Sequence, residues 1–285
     1  MKYGYYAGCC LKSTCKDFDT SIRSVFRALD IDYEEIKNWV CCGSSAVHVA
    51  SRYLAVAMAL DTPAKAQKQG LDEILVPCAA CYTRFKHALH EIAKDQGLRR
   101  EAEETLKHKF TDKLKVIQPL ELFGTEELVK RVSGARKRDL SSLKVVCYYG
   151  CETRVPDHSE DVENPQCMER VMRAVGVQVL DWGCRTDCCG GNLSLTRTDI
   201  AYKLSHDILE GAKEAGAEAI VVACPFCDMN LDARQVEIEE EYGTKYDLPV
   251  YYYSQVIGAA LGNPEKELML RLHFVHPRKV MEKAG

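Results

Sequence analysis

The chain reads as an α/β protein built from two duplicated, Rossmann-like parallel-sheet domains related by pseudo-symmetry. Three observations predict this. Short apolar runs alternate with amphipathic stretches along the whole length, the pattern of strands and helices that make a parallel sheet covered on both faces. One order of cysteines occurs twice: Cys9, Cys41-Cys42-Gly43 and Cys78-Ala79-Ala80-Cys81, then Cys151, Cys188-Cys189-Gly190 and Cys224-Pro225-Phe226-Cys227. The gaps nearly match, 31 and 35 residues in the first copy against 36 and 34 in the second. A length of 285 residues also has room for two domains of ordinary size. The expected domains are 1–135 and 143–285, each with its repeated cysteines at the carboxyl edge of its sheet. A linker around 133–142 carries the basic run Arg136-Lys137-Arg138.

In the first half, 2–6 is an aromatic, strand-like run ending at Ala7-Gly8-Cys9. Phe18, Ile22, Val25, Phe26 and Leu29 fall at three- and four-residue steps, so 17–29 is an amphipathic helix. A second strand is expected within 33–40, ending at the first CCG. A helix should follow over 46–60, capped by Ser44 or Ser45. After Gly70, 73–76 is a buried strand ending at Pro77-Cys78, and 82–94 is a helix with Phe85, Leu89 and Ile92 on one face. The charged stretch 97–115 reads as a solvated helix and 116–122 as an edge strand.

The second half repeats the first. Strand 143–149 ends at Gly150-Cys151, helix 165–175 is stopped by Gly176, and strand 177–182 precedes the second CCG. Helix 199–215, strand 219–223 into Cys224 and a closing helix 226–242 follow, then strand 249–253 and helix 256–261. Every motif cysteine therefore stands where a strand hands over to a helix, at the carboxyl edge where such sheets bind ligands. Gly43 and Gly190 allow a tight turn there.

Composition narrows the function. A formal net charge of −4 offers no basic field for a phosphate backbone, so nucleic acid is not an expected partner. The longest apolar stretch, near 53–60, is far short of the ~20 residues that span a bilayer. The N-terminus lacks the apolar core of a secretory signal. The expected location is the cytoplasm, with any membrane contact made through another protein of the complex. Fifteen cysteines in a reducing compartment point to metal binding or catalysis rather than to a disulfide framework.

Three readings of the cysteines compete. An iron–sulfur cluster in each half suits thiolate ligands at helix starts, whose N–H groups bond to cluster sulfur. Structural zinc wants four ligands, and five recur in each half. A dithiol relay through Cys78/Cys81 and Cys224/Cys227 leaves the adjacent pairs without a role. The compact cysteine run of bacterial ferredoxins is absent, so an ordinary cluster would have to sit on a partner.

The repeated pattern, with the segments Cys188-Cys189-Gly190-Gly191, Cys224 to Asp232 and Leu248-Pro249-Val250-Tyr251, resembles the cysteine-rich, or CCG, domain. Two copies in one chain resemble the B subunit of heterodisulfide reductase and its bacterial homologues. The resemblance implies two 4Fe-4S clusters of the non-cubane type. One would be held by Cys9, Cys41, Cys42, Cys78 and Cys81, the other by Cys151, Cys188, Cys189, Cys224 and Cys227. It further implies a catalytic role, the reduction or reversible formation of a small disulfide. In the family this is the disulfide of coenzyme M and coenzyme B. The electrons come from two partner proteins, one a ferredoxin-like iron–sulfur protein (the C subunit) and one a flavin-containing protein (the A subunit). Relatives of the domain in succinate or fumarate and glycolate or lactate oxidising assemblies imply another role, electron transfer without substrate chemistry.

Of the remaining cysteines, Cys147 and Cys167 are expected to be small buried hydrophobes. Cys10 is the ambiguous neighbour of Cys9, and Cys184 lies four residues before Cys188. Lys12, His48, Arg84, His87, Arg154 and Arg197 are candidates to meet an anionic substrate, or are satisfied structural groups. Asp187 and Asn192 are expected to fix the second CCG loop. Trp39 and Trp182, at matching places before the two CCG turns, are expected to wall off the clusters. No glycine-rich nucleotide fingerprint follows a strand.

Overall fold

The structure, a computed structural model, describes residues 2–44, 47–111, 113–277, 280 and 282. Its elements run in chain order. The first half contains β1 (Tyr3–Tyr5), α1 (Gly8–Lys12), α2 (Lys16–Ala28), β2 (Tyr33–Glu35), α3 (Val47–Ala50), α4 (Arg52–Lys68) and β3 (Glu73–Leu75). It continues with α5 (Ala79–Lys94), α6 (Gln96–Leu106), β4 (Lys115–Ile117), α7 (Pro119–Phe123) and α8 (Glu126–Gly134). The second half contains β5 (Lys144–Tyr148), α9 (Cys167–Val175), β6 (Gln178–Val179), α10 (Thr198–Glu214), β7 (Ala219–Val222) and α11 (Pro225–Asp228). It ends with α12 (Gln235–Tyr242), β8 (Val250–Tyr252), α13 (Tyr253–Ala260) and α14 (Glu265–Leu268).

The strands form two four-stranded sheets, ordered β2-β1-β3-β4 and β6-β5-β7-β8, with every pairing parallel. The fold class is therefore as expected. In each sheet the order reverses between the first and third strands. The crevice above that reversal is where doubly wound sheets bind ligands. Cys9 and Cys78 follow the two strands flanking it in one half, and Cys151 and Cys224 do so in the other. The central strands carry the core: Ile74 and Leu75 are fully buried, as are all four residues of β7.

The two halves grip each other reciprocally. Helix α2 of the first half packs on α13 and α14 of the second, while α9 of the second packs on α7 and α8 of the first. The apolar stripe Phe18, Ile22, Val25 and Phe26 on α2 is fully buried, with Phe18 stacked on Tyr252 at 4.2 Å between ring centroids. The Ser21 and Ser254 hydroxyls share a hydrogen bond of 2.7 Å inside this interface. It crosses the boundary without leaving either group unsatisfied.

Several expectations are corrected. The helix expected over 46–60 is two helices, and the long one starts at Arg52, where Ser51 accepts a hydrogen bond from the Leu54 N–H as its cap. Ser45 and Ala46 lie outside the described residues. The expected 116–122 edge strand is replaced by the shorter Lys115–Ile117, because Pro119 starts α7 with Gln118 and Glu121 forming a capping box. Strands 33–40 and 177–182 shrink to three and two residues. The closing helix 226–242 is interrupted by a π-helical turn, Met229–Ala233, and α8 occupies 126–134, where no element was expected.

Candidate metal centres

In the first half, β1 delivers Cys9 into the short α1, the loop after β2 carries Cys41 and Cys42, and β3 leads through Cys78 into α5 with Cys81. Sγ of Cys42 stands 3.2 Å from Sγ of Cys81, and Cys9 stands 4.0 Å from Cys41. The second half repeats this, with 3.6 Å between Cys189 and Cys227. All five of Cys151, Cys188, Cys189, Cys224 and Cys227 line one cavity of about 210 Å³. Exposure follows the same order twice: Cys9, Cys41, Cys151 and Cys188 are exposed, while Cys42, Cys78, Cys81, Cys189, Cys224 and Cys227 are buried. All fifteen cysteines carry free thiols.

The loops that hold the cysteines are fixed by matching devices. Gly43 and Gly190 have φ of +74° and +73°, which admits the turn without steric cost. Their N–H groups point at Sγ of Cys41 (3.5 Å) and of Cys188 (3.4 Å). Beneath each turn a buried tyrosine donates its hydroxyl to the carbonyl just before the cysteine pair: Tyr6 to Val40 at 3.0 Å and Tyr148 to Asp187 at 2.6 Å. The sequence reading gave these two tyrosines no role, although each stands three residues ahead of the first motif cysteine of its half. Asn230, on the π-helical turn, adds a side-chain hydrogen bond of 2.7 Å to the Cys189 carbonyl and accepts one from Ser194.

The electrostatics favour the thiolate at Cys42, Cys78, Cys189 and Cys224, whereas a hydrogen bond with Cys10 raises the pKa of Cys9 and burial raises those of Cys41 and Cys151. Cys81 and Cys227 act as shared proton donors. The hydrogen bond from Cys81 depresses the pKa of Cys42, and that from Cys227 depresses those of Cys189 and Cys224. Cys78, bonded first by Cys10 and then by Cys81, is lowered to about 7. The donors themselves are pushed well above the ordinary thiol value by the same bonds and by burial. The thiolate is the form that ligates metal. Each half thus gathers buried sulfurs that share a proton, an arrangement whose donor chemistry fits a soft metal group.

The two centres face each other. Ser44, Ala80, Thr83 and Arg84 of the first half line the cavity of the second centre. A charge on Cys224 acts on Cys78 across the boundary. Trp39 packs edge-on to Tyr6, and Trp182 lies against Tyr148 while donating to the Cys147 carbonyl, so each packs on the tyrosine beneath its cysteine pair.

Other candidates divide plainly. Arg84 reaches the cavity, and Asn192 lines it. Lys12 pairs with Glu35 and Arg197 with Asp199, so both are satisfied elsewhere. His87 stands 3.4 Å from the Arg154 carbonyl, and the His48 side chain lies outside the described residues. Cys147 and Cys167 are buried, whereas Cys184 faces the Asp207 carbonyl at 4.0 Å, away from the second centre.

Comparison with known proteins follows the same repeat. The cysteine-rich domain, CCG, matches twice, over residues 3–86 and 145–232. The chain belongs to the CCG cysteine-rich domain family. It is 30% identical to the 8-methylmenaquinol:fumarate reductase membrane anchor subunit of Wolinella succinogenes, over 98% of this chain and 99% of that one. It is 25% identical to the B subunit of the ferredoxin:CoB-CoM heterodisulfide reductase of Methanosarcina mazei, over 96% and 94%. It is 26% identical to a protein of Archaeoglobus profundus named for its likeness to the heterodisulfide reductase B subunit, over 93% of each chain. A solved hypothetical protein from Helicobacter pylori shares the fold with a TM-score of 0.76 at 9% identity, covering 96% of this CCG chain and 52% of that one. Among the described residues, no helix is long and apolar enough to cross a membrane.

Proposed function

We propose that this chain is the catalytic subunit of a heterodisulfide reductase-type complex that reductively cleaves, or reversibly forms, a small disulfide. Cys9, Cys41, Cys42, Cys78 and Cys81 would hold one non-cubane 4Fe-4S cluster, and Cys151, Cys188, Cys189, Cys224 and Cys227 a second. Bound there, such clusters supply the two electrons that cleavage of a sulfur–sulfur bond requires. One observation carries the reading: five sulfurs of one half share a cavity with residues of the other, so a substrate entering it touches both halves. Phe226 and Leu193 give that cavity apolar walls. Arg84 offers a guanidinium with no ion-pair or hydrogen-bond partner among the described residues, suited to orienting an anionic disulfide and steadying the thiolates it yields. Electrons would come from a ferredoxin-like iron–sulfur partner and a flavin-containing partner, in the cytoplasm or at the membrane surface.

The similarity to the Wolinella fumarate reductase subunit supports a second reading, an iron–sulfur electron-transfer subunit of a quinone-linked dehydrogenase. Anaerobic purification of the intact complex separates the two. The first reading expects about eight irons per chain, four for each cluster, and reduction of a disulfide by reduced viologen. Cys42→Ala and Cys189→Ala should each lose about half the iron and all of that activity. Quinol oxidation without any disulfide reduction would establish the second reading, and full disulfide reduction by either variant would refute the two-cluster scheme.

A further inference from the structure

We propose that Asp228, Asp232 and His273 form a binding site for one divalent transition-metal ion of the zinc class, distinct from the cysteine centres. One ligand atom from each of the three lies within 4.8 Å of the others. Nδ1 of His273 stands 3.8 Å from Oδ1 of Asp228 and 3.6 Å from Oδ2 of Asp232. Both separations are too long for a hydrogen bond. They are compatible with a bridging cation: two bonds of about 2.1 Å spanning them subtend roughly 120–130°, near trigonal and wider than tetrahedral.

The orientation of each group supports this. His273 has only 1% of its side chain exposed. Nε2 of its ring sits against the Gln255 amide, 2.8 Å from Nε2 and 3.0 Å from Oε1, which leaves Nδ1 facing the two carboxylates. An outer hydrogen bond of that kind is how ligating histidines are usually held. Gln255 is itself fixed, accepting from the Tyr252 N–H and donating to the Leu268 carbonyl. Asp232 accepts from the N–H groups of Phe274 and Val275 at 2.8 and 3.0 Å, which aims its carboxylate at the same point.

A second observation points to a missing partner. Oδ1 of Asp228 is sealed from solvent and forms no well-aligned hydrogen bond, although the buried Tyr252 hydroxyl lies within reach of the carboxylate. Asp17 of the first half adds a further carboxylate, 3.7 Å from Nε2 of His273. Among the described residues, this one imidazole is the only basic side chain ion-paired to the three acids. A bound cation would offset the charge of these carboxylates, which burial otherwise drives toward the protonated form. Beside them a cavity of about 390 Å³, lined by Thr14, Cys15 and the exposed Phe274, leaves room for a fourth ligand such as water and a route of entry.

Nitrogen and carboxylate donors with no thiolate suit zinc, manganese or ferrous iron, and zinc is the probe of choice because its shell identifies the site. The cluster-containing full chain, purified anaerobically, is dialysed with zinc chloride, freed of excess, and examined by metal analysis and zinc X-ray absorption. The expected result is a single retained zinc per chain with a nitrogen/oxygen shell near 2.0–2.1 Å, and no sulfur shell near 2.3 Å. Asp228→Asn should weaken retention by at least ~10²-fold while iron content holds. Absence of retained zinc, a sulfur shell, or undiminished affinity in Asp228→Asn would overturn the proposal. Should that variant fail to fold, the wild-type shell alone decides.

Discussion

Replacing Gly190 by alanine tests whether the glycine of the second cysteine pair is there for conformation or for space. Its φ is +73°, and an added Cβ would meet the Ala201 Cα at 3.0 Å and Leu204 Cδ1 at 3.2 Å. The left-handed region costs a non-glycine residue about 1–2 kcal/mol. Loss of unfolded-state freedom returns about 0.4–1 kcal/mol. Contact with backbone that cannot swing away adds about 1–3 kcal/mol, for a net loss of roughly 2–4 kcal/mol. Gly243 is the control: its φ is +63°, yet a Cβ there would meet nothing within 4 Å. Gly243→Ala should therefore lose only ~0.5–1 kcal/mol. Gly43→Ala should fall between, because its 3.0 Å contact is with Val47 Cγ2, a side chain that yields. Calorimetric scans under argon at one rate should show Tm falling by roughly 4–15 °C for Gly190→Ala and by about 1–4 °C for Gly243→Ala. Iron should be lost only from the former, since Cys188 and Cys189 move with the turn. Equal shifts in the two variants would refute the steric argument.

Tyr6→Phe and Tyr148→Phe should each destabilise by about 1–2 kcal/mol, and hydrogen exchange should quicken in the cysteine-pair loop of the altered half alone. Arg84→Gln should raise KM for an anionic disulfide by roughly 10–100-fold, the worth of one charged hydrogen bond, and leave a neutral disulfide nearly unaffected; equal effects on both would remove Arg84 from substrate contact. Ser51→Ala should cost about 1 kcal/mol through loss of the cap, with faster exchange confined to the first turn of α4.

What the sequence revealed, and what it hid, follows from the range of the forces involved. The ten ligand candidates stood out because their order repeats, and the strand–helix alternation around them located one edge of each sheet. The apolar run Val116-Ile117-Gln118-Pro119-Leu120 looks like a strand by composition alone, and Pro119 as a first-turn residue was the overlooked signal. The π-helical turn at 229–233 has no local signature, being free of glycine and proline. It accompanies long-range bonds, from Asn230 to the Cys189 carbonyl and from the Phe274 and Val275 amides to Asp232. For the same reason His273 could not be read beside Asp228: 44 residues separate them in the chain, and only the packing of the final segment joins them.

The reciprocal packing of α2 on α13 and of α9 on α8 has a consequence for how such a chain can be divided. Neither half offers a clean place to cut, since each would be left with two bare apolar flanks, one made to receive and one made to be received. Two copies of a single half, turned about a twofold axis, would satisfy both flanks at once. The fused chain is in this sense a homodimer tied end to end. The tie leaves each copy free to differ alone, and the position following the last paired cysteine is Tyr82 on one side and Asp228 on the other.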